Sequence, residues 1–378
     1  MKLAFEARNA HFDRLVATPG MKWLGQNTNH LPSHPLVIEA MVRCAQDEEF
    51  HAYAPPVGLE ALRAGVIADL GLPGQAALIS DGAVASLYHL CHTLLGPGDE
   101  LLTTDPTWNW PMVFAGSVGA TVRQLPIYGA EHKYRLDPAR LAEAIGPKTK
   151  LVYLVDPNNP LGTACTEAEI GAITAAVERS GAWLIHDCTY RHFAYAHHLA
   201  ARILPERTIT IYSFSKWLGL AGLRVGAMVV HPILAERLAA APPNILGSSI
   251  LAQRAALAGL AIKDSWFPHV LAMQRDNQAL VKQAVDGIPG LAMPVYPSNG
   301  NFVVIECQGA GVRPEALVKT MADVGIMIRQ GAYHTPTFGD QFVKVSLSVP
   351  REWAQAFVDH LPSAVERARG QNDAVPLF

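Results

Sequence analysis

The feature that most constrains this chain is a series of short apolar segments separated by helical ones. Lys150-Leu151-Val152-Tyr153-Leu154-Val155 and Trp183-Leu184-Ile185-His186 are almost continuously apolar. That is the pattern of strands covered on both faces. Ala76–Ser80, Leu101–Thr104, Thr121–Leu125, Thr208–Tyr212 and Arg224–Val230 add further strand-like runs. Helices are predicted from about Leu59, from Gly82 to about Leu95, over Leu136–Ile145 and over Glu167–Arg179. Strands alternating with helices build a mostly parallel sheet, so an α/β fold is expected. Open sheets of this kind take ligands outside the carboxyl ends of their strands.

Polar residues gather at those ends. Asn159, Asp187, Tyr190, Ser213 and Lys216 each follow an expected strand. The densest stretch is Ser213-Phe214-Ser215-Lys216, continuing through glycines to Arg224. A lysine amine withdrawn from water becomes a nucleophile. Hydroxyls and an arginine suit a phosphate, and glycines let backbone approach a ligand. This combination suits a lysine joined to pyridoxal phosphate. Taken alone, the stretch also reads as a strand, a Ser/Gly turn and a surface lysine; the other strand exits favour the cofactor. Gly82-Ala83-Val84 opens a helix after a strand, where free backbone N–H groups hold anions. Asp81 beside it does not suit an anion unless it caps the helix. Trp108 and Trp110 after another strand make a stacking platform for a flat ligand or ordinary core packing. Tyr53 precedes Pro55-Pro56-Val57-Gly58, a turn on its own.

Length and composition bound the rest. The chain has 378 residues, half of them hydrophobic and 17% charged, enough for two domains and a large core. Residues 1–30 read as an N-terminal arm. Its Trp23-Leu24-Gly25 piece packs over a site or a partner, or anchors a loop. A helix is expected over 35–50 and helical sequence over about 245–287. The large domain is read as 31–265, with a change near Trp266. Residues 266–378 read as a smaller α+β domain with strands at 300–305, 326–329 and 343–348 and helices at 314–324 and 352–369. Net charge is −3, which gives no electrostatic case for nucleic acid or an anionic membrane. No stretch approaches the length of a membrane span, and the N-terminus becomes charged too soon for a signal peptide. Five scattered cysteines without a Cys-x-x-Cys pair argue against disulfides and zinc, and favour a cytoplasmic location. No metal is expected: His89, His92, His197 and His198 read as surface or packing residues.

The ordered set Tyr53, Gly82, Trp108, Asn159-Pro160-Leu161-Gly162, Asp187-x-x-Tyr190, Ser213-x-Ser215-Lys216 and Arg224 resembles class I/II aminotransferases of pyridoxal-phosphate fold type I. It is nearest in style to the histidinol-phosphate aminotransferase-like group. The resemblance runs from about Trp23 to the last helix. It implies Lys216 as Schiff-base lysine and proton shuttle, and Asp187 as partner of the pyridine nitrogen. It implies Tyr190 and Asn159 at the cofactor's 3-oxygen and Trp108 stacked on the ring. Ser213, Ser215, Arg224 and the backbone at Gly82, Ala83 and Val84 would form the phosphate cup. Tyr53 would reach that cup from the neighbouring subunit, which implies a homodimer. The implied reaction moves an amino group between an amino acid, or a similar metabolite, and a 2-oxo acid.

The chain departs from the pattern in three places. Val343-Lys344-Val345-Ser346 puts Lys344 where the family has the arginine that grips the substrate carboxylate. Arginine offers a bidentate fork and lysine a point charge. Either Arg329, or Gly25 and Asn301, hold that carboxylate instead, or the substrate is unusual, or Lys344 does the same work less tightly. Leu161 replaces the usual threonine, and Cys188-Thr189 the usual Glu-Ala. A lyase, decarboxylase or cyclase of the same fold is the alternative that Lys344 keeps open. A regulatory protein would bring a basic DNA-binding segment, and a dehydrogenase a Gly-x-Gly-x-x-Gly turn; the chain has neither. His334 reads as a substrate neighbour or as a loop histidine without a role.

Overall fold

The computed structural model describes residues 4–240 and 244–371. The outermost ends of the expected arm and small domain, 1–3 and 372–378, lie outside the described residues. The strands are β1 (Lys22–Trp23), β2 (Ala76–Ser80), β3 (Glu100–Asp105), β4 (Thr121–Pro126), β5 (Thr149–Val155), β6 (Trp183–Asp187), β7 (Thr208–Ser213), β8 (Gly226–Val230), β9 (Phe302–Glu306), β10 (Ile326–Met327), β11 (Arg329–Gln330) and β12 (Phe342–Ser346).

A seven-stranded sheet runs in the order β2-β8-β7-β6-β5-β3-β4. Only β8 opposes the others, so the mostly parallel α/β architecture expected from the sequence is present. Alternation along each strand explains the apolar runs. Leu151, Tyr153 and Val155 pack on one face with Ile185 and Ile209. Val152 and Leu154 pack on the other with Leu102 and Leu184. Helices cover both faces, among them Ala83–Leu94 and Glu167–Ser180. The latter starts with a reciprocal cap between Thr166 and Glu169, which satisfies N–H groups left free at a helix start. In-register pairing of Val155 with Asp187 and of Asp187 with Ile211 brings the exits of β5, β6 and β7 to one rim.

A second, antiparallel sheet has the order β11-β12-β9 and packs under helices Pro314–Ala322 and Arg351–Ala368. β1 pairs in parallel with β10, and Leu24 is buried in this smaller core. The Trp23-Leu24-Gly25 piece therefore joins the C-terminal half of the molecule. Helix Ile250–Asp286 is 37 residues long. Ala252 and Ala255 near its start belong to the core of the large sheet; Val281 and Val285 near its end belong to the smaller core. The change expected near Trp266 falls inside this helix, two residues before Pro268.

Several local expectations need correction. Helix Ala4–Ala17 occupies the stretch read as an arm, and helices Trp110–Ser117 and Pro232–Ala239 were not expected. The strand expected over 326–329 divides, because β10 pairs with β1 while β11 turns to β12. Arg224 stands outside β8 with φ 56°. No helix among the described residues is long and apolar enough to cross a membrane.

Candidate active site

A cavity of about 370 Å³ opens where the central strands end. Ala83, Val84, Trp108, Asn159, Asp187, Tyr190, Ser213, Ser215, Lys216 and Arg224 line it. Sequence reasoning had selected all of these. It had missed Thr189, and it had not assigned Trp110 to the site; both also line the cavity. Tyr53 stands apart, 79% exposed on the surface.

Lys216 sits on a single helical turn, Phe214–Trp217, capped by the Ser213 hydroxyl, which accepts from Ser215 N at 3.2 Å. Its Nζ donates to the Gln26 carbonyl at 3.1 Å. Withdrawal from water, helped by the positive charge of Arg224, lowers its pKa to about 8. A lysine so placed is partly neutral near neutrality, as a nucleophile or base must be.

Asp187 ends β6 and is buried. Its Oδ2 accepts from Tyr153 Oη at 3.0 Å. Its Oδ1 accepts from Thr189 N at 3.1 Å and Thr189 Oγ1 at 2.5 Å. Burial raises its pKa, and these three bonds oppose the rise. The carboxylate is thus fixed in direction and ready for a cationic partner.

The opposite rim is built for an anion. Gly82 has φ +80° and begins helix Ala83–Leu94. A side chain there would collide with the Arg224 guanidinium. Glycine therefore both permits the turn and leaves Arg224 its place. Arg224 is anchored by donating to the Ala221 carbonyl at 2.7 Å.

Tyr190, Asn159, Asn301 and Ser346 meet around Asn27, which the sequence had not singled out. Asn27 has φ 56°. Its Nδ2 donates to Tyr190 Oη at 3.0 Å and to Asn159 Oδ1 at 3.5 Å. Its Oδ1 accepts from Ser346 Oγ at 2.8 Å, and its carbonyl accepts from Asn301 Nδ2 at 2.8 Å. Lys344, 3% exposed, donates to Asn159 Oδ1 at 3.3 Å. Arg329 stacks over Tyr333 at 4.5 Å and its Nε donates to the Gly25 carbonyl at 3.5 Å. A side chain at Gly25 would strike Met327. Burial holds the pKa of Lys344 well below its usual range, with Arg329 and Lys216 adding repulsion. Arg329 Nη1 and both ring nitrogens of the buried His334 have no hydrogen-bond partner.

Residues 19–361 match the family model described as aminotransferase class I and II. The chain belongs to the class I and II aminotransferases. It is 27% identical over 349 residues to a histidinol-phosphate aminotransferase of Methanosarcina mazei, covering 90% of this chain and 89% of that protein. It is 26% identical over 314 residues to an aspartate/prephenate aminotransferase of Thermus thermophilus, covering 80% and 78%. Among solved structures, aspartate aminotransferase from Thermus thermophilus with maleate matches with a TM-score of 0.82 at 22% identity, over 96% of this chain and 97% of that one. Substrate-bound BacF from Bacillus subtilis matches with a TM-score of 0.83 at 20% identity, over 99% and 97%. These structures share the fold.

Pyridoxal phosphate is the cofactor of this aminotransferase, and the residues present fit it. The space over Gly82, ringed by Arg224, Ser213, Ser215 and helix N–H groups, suits its phosphate. Lys216 suits its aldehyde. Buried Asp187 suits its ring nitrogen, because a carboxylate away from water wants a positive partner. Sequence reasoning missed Tyr153 and Thr189, which orient Asp187. The signal for Thr189 was at hand, as a hydroxyl two residues after a strand-end aspartate.

Proposed function

We propose that this enzyme moves the amino group of an anionic amino acid to a 2-oxo acid, and that Lys216, Lys344 and Arg329 divide the work on the substrate. The observation that carries the reading is that Lys344 lies opposite Arg329 in the β11–β12 register and donates to Asn159, which lines the cavity together with Lys216. Burial, with repulsion from Arg329 and Lys216, holds the Lys344 pKa well below its usual range, and Arg329 Nη1 lacks a partner. A negatively charged guest would restore the Lys344 charge and give Arg329 its partner, since Asp187 is committed elsewhere. A substrate carboxylate between Lys344 and Arg329 would supply it.

Pyridoxal phosphate, when bound, supplies an electron-poor ring that spreads the charge left when the substrate Cα loses its proton. The chain does the rest. Lys216 would hold the cofactor's aldehyde carbon and, as the free amine, would take the substrate Cα proton on Nζ. Its pKa near 8 leaves it basic enough to hold the proton and ready to release it. Asp187 would keep the cofactor's ring nitrogen protonated. Tyr190 and Asn159, tied together by Asn27, would hold its 3-oxygen. Trp108 would lie against its ring and exclude water.

We further propose a cytoplasmic homodimer in which Tyr53 reaches the partner's phosphate site. Leu36, Ile38, Val42, Phe50 and Tyr53 are all exposed large apolar residues near one another in sequence. Such a patch favours a partner surface.

Incubating the loaded enzyme with one amino acid and no acceptor tests the reading. Transfer stops after about one 2-oxo acid per chain, as in any double-displacement enzyme. Continuous product formation without acceptor would replace this reading with the lyase, decarboxylase or cyclase alternative.

A further inference from the structure

On the side of β6 away from the cavity lies a cluster that neither the reaction nor the family assigns. His186 and Cys188 are two residues apart, so they leave the strand on the same side, opposite Asp187. His197, in the loop after residues 191–193, comes back to them. One donor atom from each of His186, Cys188 and His197 lies within 4.8 Å of the others. The two imidazoles stack with centroids 5.3 Å apart. All three side chains are buried. The sequence spacing argued against zinc, because no ligand pair sits close by on one helix or turn. The fold assembles this set from a stretch of 12 residues, His186 to His197, that runs from strand into loop.

We infer that His186, Cys188 and His197 form a site for a borderline-soft divalent cation of the zinc type, backed by Asp156. Asp156 Oδ2 lies 3.3 Å from His186 Nε2 and 3.4 Å from His197 Nε2. His186 Nε2–H faces this carboxylate and His197 Nε2–H donates to the Asp156 carbonyl at 3.0 Å, which leaves Nδ1 as the donor atom of each ring. His197 Nδ1 has no hydrogen-bond partner, though the side chain is only 6% exposed. His186 Nδ1 accepts a long bond from Ala200 N, 3.3 Å, which the cation would replace. The Cys188 Sγ donates to the His186 carbonyl at 3.5 Å and lies beside both imidazoles. Two imidazoles and one thiolate are the donors zinc prefers. Binding breaks the S–H bond, forms a metal–sulfur bond and releases the proton to solvent. The two charges of the cation then balance the thiolate and the Asp156 carboxylate, so no net charge is left buried. The cation would tie the exits of β5 and β6 to the following loop, directly behind Asp187, Thr189 and Tyr190.

The test uses the purified, cofactor-loaded enzyme. Metal analysis, followed by chelator treatment and calorimetric titration with zinc alone, is expected to give about one ion per chain. Cys188→Ser and His197→Gln are each expected to weaken zinc binding by about tenfold or more, with circular dichroism reporting that the fold persists. If Cys188→Ser fails to fold, His197→Gln, which alters a loop, gives the same reading. Wild-type enzyme that takes up no zinc, or variants that bind it as tightly as wild type, would overturn the site. Neither result depends on the transamination reading.

Discussion

Replacing Asn27 by alanine should loosen the active site more than any contact with substrate would suggest. The side chain supplies the Tyr190 hydroxyl with a donor at 3.0 Å and the Ser346 hydroxyl with an acceptor at 2.8 Å. Ser346 is fully buried and Tyr190 is 4% exposed. A buried polar group left without its partner costs about 1–3 kcal/mol. Tyr190 borders the cavity, where water replaces part of what is lost, so the low end applies. Two groups then cost about 2 kcal/mol. The backbone adds to this, because φ is 56° and alanine bears the left-handed conformation about 1 kcal/mol less well than the asparagine it replaces or than glycine. The expected loss for Asn27→Ala is thus about 3 kcal/mol. Asn27→Gly keeps the polar loss and removes the backbone part, so it should fall about 1 kcal/mol short of that loss. Urea unfolding of both variants and wild type at one protein concentration reads the order. An alanine variant within about 0.5 kcal/mol of wild type, the range of an ordinary surface change, would refute the role of Asn27 as a tie. A glycine variant no more stable than alanine would refute the backbone part.

Capture of pyridoxal phosphate by cofactor-free enzyme should accelerate as pH rises and level off above about 8. Lys216 must attack as the neutral amine, and below its pKa the proton blocks it; a midpoint near the ordinary lysine value of about 10.4 would refute the desolvated site. Lys344→Met should raise KM for the amino donor about 10–100-fold with a smaller change in kcat, since a charged hydrogen bond contributes about 1.5–3 kcal/mol. Lys344→Arg should keep KM within a few-fold; steady-state kinetics with both variants decides whether this cation grips the substrate.

The strand exits were legible because their signals are local. A strand covered on both faces reads as continuous apolar sequence, and the residue after it inherits the rim of the sheet. Asp187, Asn159, Ser213 and Lys216 could be found that way, and Lys344 by its place in a recurring strand motif. Asn27 could not, because its partners are up to 319 residues away. Tyr153 was absorbed into the apolar run of β5, where its hydroxyl gave no hint that it would meet Asp187. The boundary near Trp266 was placed inside a stretch already read as helical. The helix continues because its two halves bury different stripes in different cores. Helix Ala4–Ala17 was missed because its apolar residues form no clear stripe. His186, Cys188 and His197 were unreadable as a set, since their pairing depends on which way β6 faces.

The pairing of the first strand with the last part of the chain has a consequence for biosynthesis. All strands of the large sheet lie between Ala76 and Val230, so that sheet is complete in the nascent chain well before synthesis ends. Lys22 and Trp23 wait for Ile326 and Met327, and Asn27 waits for Ser346. The segment that closes the site is made before the large sheet and is seated after it. A nascent chain arrested at residue 320 therefore carries Lys216 and Asp187 on a finished sheet, yet still lacks the strand partner of Lys22 and Trp23 and the Ser346 partner of Asn27.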